Sequence, residues 1–159
     1  MAASPLFDLA ELDLTQVAVS SQRVGEINPH AGHMRQLDHV IWLTDDFRNA
    51  VGVKHVRDDE FWVPGHVPGR PLFPGVLMIE AAAQLCSLTQ RLRPDIHADM
   101  FIGFTRCDDV VFRGQVVPGD TLYLLAKLLS RRPRRFTSAA QGIVNGSLVF
   151  EATITGMVM

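Results

Sequence analysis

The chain has 159 residues, 47% of them hydrophobic, and a formal net charge of −2. That length fits one domain able to bury about two-thirds of its surface, and the small negative charge argues against a nucleic-acid or membrane partner. No window approaches the roughly 18 apolar residues of a membrane span. Asp8, Glu11 and Asp13 stand where a secretory signal needs a basic region, so a cytoplasmic protein is expected.

Residues 1–28 are acidic and mildly apolar. Leu6, Phe7, Leu9, Leu12 and Leu14 suit an arm packed on the body, but the sequence does not decide between that and a loose tail. Residues 29–159 are expected to form one domain. Leu37–Leu43 and Val51–Val56 are apolar and β-branched around Thr44-Asp45-Asp46, which predicts a hairpin. Asp58-Asp59-Glu60 reads as solvated surface. His30 and His33 lack further ligands at metal spacing, so no metal is expected.

Gly65 to Gly75 holds three prolines and three glycines, which excludes regular structure. From Val76 to about Leu92 the composition becomes Ala, Leu, Met, Gln and Glu, all good helix formers. Pro74-Gly75 marks the start of the helix and Arg93-Pro94 its end. Its first two turns are apolar on nearly every face, which predicts burial on all sides. Glu80 lies among them, and burial raises a carboxyl's pKa, so Glu80 is a candidate proton donor. His66, on the preceding loop, is a candidate base for the same apolar cavity. Taken singly, each residue has a plainer reading: a structural hydrogen-bond partner and a loop histidine.

Beyond the helix, Met100–Phe104 and Cys107–Phe112 are predicted as two strands, followed by Thr121–Leu129. Ser138–Val144 and Leu148–Met157 flank Asn145-Gly146, a strong type I′ hairpin signal. Strands on either side of one buried helix make an α+β domain. Cys86, in the helix, and Cys107, at a strand start, are expected as buried thiols in a reducing compartment. Arg131-Arg132-Pro133-Arg134-Arg135 is the one charge run, and a solvated hairpin tip is the favoured reading. The functional alternative is a dock for an acidic partner or a phosphate, which arginine's planar fork suits.

The run from Gly65-His66-Val67-Pro68-Gly69-Arg70-Pro71 through Pro74-Gly75-Val76-Leu77 to Glu80-Ala81-Ala82-Ala83-Gln84 resembles the signature of FabZ/FabA-type 3-hydroxyacyl-[acyl-carrier-protein] dehydratases. The family's form is Gly-His-Phe-Pro-Gly, then Pro-Gly-Val-Leu, then Glu-Ala-x-Ala-Gln; Val67 replaces its Phe. Pro29-His30, Asp38-His39-Val40, Phe112-Arg113 and Val116-Val117-Pro118-Gly119-Asp120 are similar to further family segments. Residues 31–36 depart from it, where the family has Arg-Tyr-Pro-Phe-Leu-Leu.

The resemblance implies a hotdog fold, an antiparallel sheet wrapped round one long helix, in dimers or trimers of dimers. It implies dehydration of 3-hydroxyacyl thioesters on acyl carrier protein, with His66 as base and Glu80 as acid across the dimer interface. Gly75 and Val76 would polarise the thioester carbonyl through their amides, and Gln84 would orient the site. Gly75, having no side chain, would let substrate approach the backbone. Elimination changes no overall oxidation state, so no cofactor is expected beyond the phosphopantetheine that carries the substrate. A hotdog thioesterase and a non-catalytic acyl-binding homologue are the competing expectations.

Overall fold

The computed structural model describes residues 4–159. Six strands form one antiparallel sheet in the order β1-β2-β4-β5-β6-β3. They are β1 (His39–Leu43), β2 (Asn49–His55), β3 (Ile102–Phe112), β4 (Thr121–Arg132), β5 (Arg135–Val144) and β6 (Ser147–Val158). A short helix α1 (Ser21–Ile27) precedes the sheet, and the long helix α2 (Gly75–Arg91) lies against its inner face. This is the hotdog architecture that the family resemblance implies.

The packing follows from strand alternation. Ala50, Leu122, Leu124 and Ala126 turn inward to meet Leu77, Met78, Ala81, Ala82, Leu85 and Leu88 of α2. Gly52 sits beneath the helix, where a Cβ would come 2.7 Å from a Leu37 methyl and 3.1 Å from one of Leu85. Its bare Cα is what lets these side chains close on β2. Asn145 (φ 49°) and Gly146 (φ 75°) both have left-handed backbones, as the type I′ turn between β5 and β6 requires.

The opposite face of the sheet is also apolar: Ile41, Val51, Val53, Leu125 and Ile143. Leu6, Phe7, Leu9 and Leu12 cover it. The Gln141 side chain ties down this arm, accepting from the Leu6 amide at 2.7 Å and donating to the Ser4 carbonyl at 3.1 Å. Further along, Val19 bridges to Val40 and covers the outer edge of β1. The arm is therefore packed along the sheet rather than loose. Its helix α1 is not foreseen in the sequence reading; the Ser20 hydroxyl caps it by accepting from the Arg23 amide at 3.2 Å.

Two strand expectations need correction. Met100–Phe104 and Cys107–Phe112 are not separate strands, because Ile102–Phe112 is one strand with register shifts between Phe104 and Arg106 and between Asp108 and Val111. The polar residues that read as a break are accommodated as bulges in an edge strand. Cys107 accordingly lies mid-strand and is only partly buried, whereas Cys86 is fully buried.

Candidate active site

The loop leading to α2 is anchored from below. Lys54 of β2 points into the core and meets Glu60 Oε2 at 2.9 Å. Glu60 Oε2 also accepts from Trp62 Nε1 at 3.2 Å, and Oε1 accepts from the Arg57 amide at 2.9 Å. Glu60 is thus buried and not the solvated surface residue expected, because a charged lysine on the inner face needs a counter-ion. Trp62 packs edge-on against Phe73 with ring centres 5.5 Å apart, which ties the start of the loop to its end.

His66 grows from this anchor. Its amide donates to the Trp62 carbonyl at 2.8 Å, and its own carbonyl accepts from the Leu72 amide at 2.8 Å. The ring atom Nδ1 lies 2.7 Å from the Leu72 carbonyl oxygen. A carbonyl only accepts, so the contact assigns a proton to Nδ1, and in the neutral ring Nε2 then carries the free lone pair. Residues 64–70, His66 among them, are exposed.

Glu80 is held differently. Gln84 Nε2 donates to Glu80 Oε1 at 2.8 Å and to the Met34 carbonyl at 2.6 Å. Gln84 Oε1 accepts from the Gln36 and Leu37 amides at 2.9 and 3.2 Å. One fully buried amide therefore joins Glu80 to the segment that diverges most from the family pattern. His30 Nε2 stands 3.3 Å from the same Glu80 oxygen. His30, Glu80, Gln84, Ser87, Phe104 and Phe136 help to line a cavity of about 150 Å³.

Glu80 is not buried on all sides. Its side chain is 22% exposed, and Val76, one turn earlier, is 71% exposed. The expectation of all-round burial fails because one stripe of α2 faces away from the chain's own sheet. His66 is not among the residues lining the Glu80 cavity, and no contact joins the two within one chain.

The amides of Gly75 and Val76 have no acceptor among the described residues, while those of Leu77 and Met78 donate to the Pro74 carbonyl. Two donors are thus free at the positive end of the helix dipole. The absence of a side chain on Gly75 has a local cause as well, since a Cβ there would come 2.7 Å from the Phe112 ring. Among the arginines, Arg131 pairs with Asp95, whose carboxyl its hydrogen bond holds below the usual range. Arg132, Arg134 and Arg135 are exposed at the β4–β5 hairpin tip.

His33 lies against the Phe61 ring, so the two histidines do not converge. Among the described residues, no group of three or more His, Cys, Asp or Glu is placed to hold a metal ion. No helix among them is long and apolar enough to cross a membrane. Nothing local in the sequence marks the Lys54–Glu60 anchor, and Pro29-His30 of the family pattern is the one signal for His30 as a neighbour of Glu80.

These features define a hotdog protein whose long helix presents a carboxylate to a cavity. A family model described as a FabA-like domain matches residues 28–153, and the chain belongs to that family. It is 32% identical over 142 residues to the 3-hydroxyacyl-[acyl-carrier-protein] dehydratase FabZ of Lactococcus lactis subsp. cremoris (strain SK11), covering 89% of this chain and 96% of the relative. Among solved structures it resembles the dehydratase heterocomplex ApeI:P from Xenorhabdus doucetiae, with TM-score 0.72 and 17% identity over 86% of this chain and 90% of that one. It also resembles a mutant of thioesterase PA1618 from Pseudomonas aeruginosa, with TM-score 0.67 and 11% identity over 89% and 95% of the two chains. At such identities the structural likenesses speak to the fold alone.

Proposed function

We propose that this protein dehydrates 3-hydroxyacyl thioesters carried on acyl carrier protein to trans-2-enoyl thioesters, in the cytoplasm and without a metal or redox cofactor. The active site lies between two copies of the chain, with His66 from one and Glu80 from the other. The observation that carries this reading is the Nδ1 contact of His66 with the Leu72 carbonyl, which in the neutral ring makes Nε2 the basic nitrogen on an exposed loop.

What supports the dimer is an unpartnered sheet edge beside the site. Strand β3 is a sheet edge of eleven residues with exposed Phe104, Val111 and Phe112, whereas the β1 edge is covered by Val19. A long uncovered edge is an unsatisfied pairing surface. Glu80 opens beside that edge, since Phe104 of β3 lines its cavity, and Phe112 lies against Gly75 at the start of α2.

In the reaction, His66 Nε2 takes the proton from the carbon next to the thioester carbonyl. The developing enolate oxygen is held by the Gly75 and Val76 amides at the helix N-terminus. The enolate electrons return to form the double bond as the C–O bond breaks, and Glu80 protonates the departing hydroxyl to give water. Gln84 fixes the acid through its bond to Oε1. Arg132, Arg134 and Arg135 provide a cationic tip for the acidic carrier or its phosphopantetheine phosphate.

The single substitutions His66→Ala and Glu80→Gln test the roles. Each is expected to cost about 10²–10⁴-fold in dehydration rate with the fold intact. Wild-type turnover in both folded variants would refute the assignment, and release of free thiol in place of enoyl thioester would favour hydrolysis.

A further inference from the structure

Two nitrogens converge on one oxygen of Glu80. Gln84 Nε2 donates to Oε1 at 2.8 Å and His30 Nε2 faces it at 3.3 Å, while Oε2 has no partner among the described residues. We infer that His30 is a positioning residue for the acid: with Gln84 it holds Oε1 as an acceptor and leaves Oε2 to carry the proton into the cavity. This inference rests on the dehydratase reading and adds a residue to it.

The tautomer of His30 follows from its surroundings. Its Nδ1 is buried with no hydrogen-bond partner among the described residues. A proton there would be an orphaned buried donor, which is rarer and costlier than an orphaned lone pair. The Nδ1–H tautomer and the imidazolium both carry that proton. The Nε2–H tautomer does not, and it puts the proton on the nitrogen that lies 3.3 Å from Glu80 Oε1. In their neutral forms His30 and His66 are therefore opposite tautomers: His66 keeps Nε2 bare to accept a proton, and His30 keeps Nε2 protonated beside Glu80 Oε1.

The electrostatic consequence is directional. As Oε2 releases its proton to the departing hydroxyl, negative charge spreads onto Oε1, where the Gln84 amide donates at 2.8 Å and the His30 ring nitrogen lies 3.3 Å away. Donors that favour the charged form make the group a readier acid. No other group in the cavity wall competes. On α2 the neighbours are Ala83, Gln84 and Ser87, and the strands contribute Phe104 from β3, Phe136 from β5 and Thr155 from β6. Only His30 and Glu80 titrate among them, joined in the proposed dimer by His66 of the second copy.

The test follows initial rates of enoyl-thioester formation from 3-hydroxyacyl carrier-protein thioesters of graded length, across pH. His30→Ala is expected to lower kcat by about 10–100-fold with KM within about threefold, as loss of an interaction made mainly in the transition state does. The alkaline limb of the profile should move up, as loss of a donor facing the carboxylate does. His30→Gln, which keeps an N–H within reach, should restore much of the rate and return the limb towards its wild-type position.

An unchanged rate, or a rate loss with the limb unmoved, overturns the inference while leaving the dehydratase reading intact. A wild-type protein that dehydrates none of the series overturns both. Should His30→Ala fail to fold, nitrogen-15 shifts of the wild-type His30 ring decide: protonated Nε2 with bare Nδ1 is expected, and the reverse tautomer overturns the inference.

Discussion

Lys54 and Glu60 form an ion pair of 2.9 Å with side chains only 2% and 5% exposed, beneath the loop that carries His66. Neither charge has water to fall back on, so the pair acts as a unit. Removing one partner of such a pair costs about 3–5 kcal/mol, because the other charge stays buried. Lys54→Met and Glu60→Gln are each expected to destabilise the protein on that scale in urea unfolding. Because Trp62 and the His66 backbone hang from the same anchor, kcat should fall as well in whatever fraction folds.

The pair also sets an acid limit on stability. Burial alone would push the Glu60 carboxyl up, but the Arg57 amide, Lys54 and the Trp62 indole together hold it below its ordinary 4.5. A carboxyl depressed in the folded state contributes stability that is present above the unfolded value and is lost as pH falls through the folded one. Stability should therefore decline below about pH 4.5, and Glu60→Gln should flatten that part of the curve. An identical acid decline in the variant would place its cause elsewhere.

The arm makes its own prediction. Phe7 meets Trp42 edge-on with ring centres 5.2 Å apart, over the outer face of the sheet. Phe7→Ala should cost about 1–2 kcal/mol, in keeping with a half-buried aromatic. The change should shift Trp42 fluorescence before global unfolding. An unchanged unfolding midpoint would show that the arm adds nothing to stability.

The two thiols should differ in reactivity. Burial pushes the Cys86 thiol up to about 12, and the partly buried Cys107 is raised less, again by burial first. The thiolate is the reactive form. A native-state titration with an aromatic disulfide reagent should modify Cys107 slowly and Cys86 only on unfolding. Equal rates for both would contradict the burial of Cys86.

Some of this architecture is legible in the chain because the signal is local. Asn145-Gly146 announces its hairpin because few residue pairs accept two left-handed backbones in succession. The start of α2 is marked by Pro74-Gly75, and His66, Glu80 and Gln84 lie within one continuous family-like run. What escapes the sequence is whatever depends on distant partners. Glu60 reads as surface because it follows two aspartates, and its counter-ion is set by the inward turn of Lys54 on β2. His30 lies fifty positions before Glu80, and nothing local says that they meet. The exposure of Val76 reflects a helix with two apolar faces, of which the chain's own sheet covers one.

Complementation between two inactive variants tests the shared site most directly. His66→Ala and Glu80→Gln chains, separately tagged and co-expressed, form mixed dimers in which one site keeps both groups and the other loses both. Purified through both tags, such dimers should recover about half the wild-type rate per dimer, as two-fold symmetry dictates, while either variant alone stays near zero. If the mixed dimer is as inactive as its parents, His66 and Glu80 do not meet across an interface between two chains.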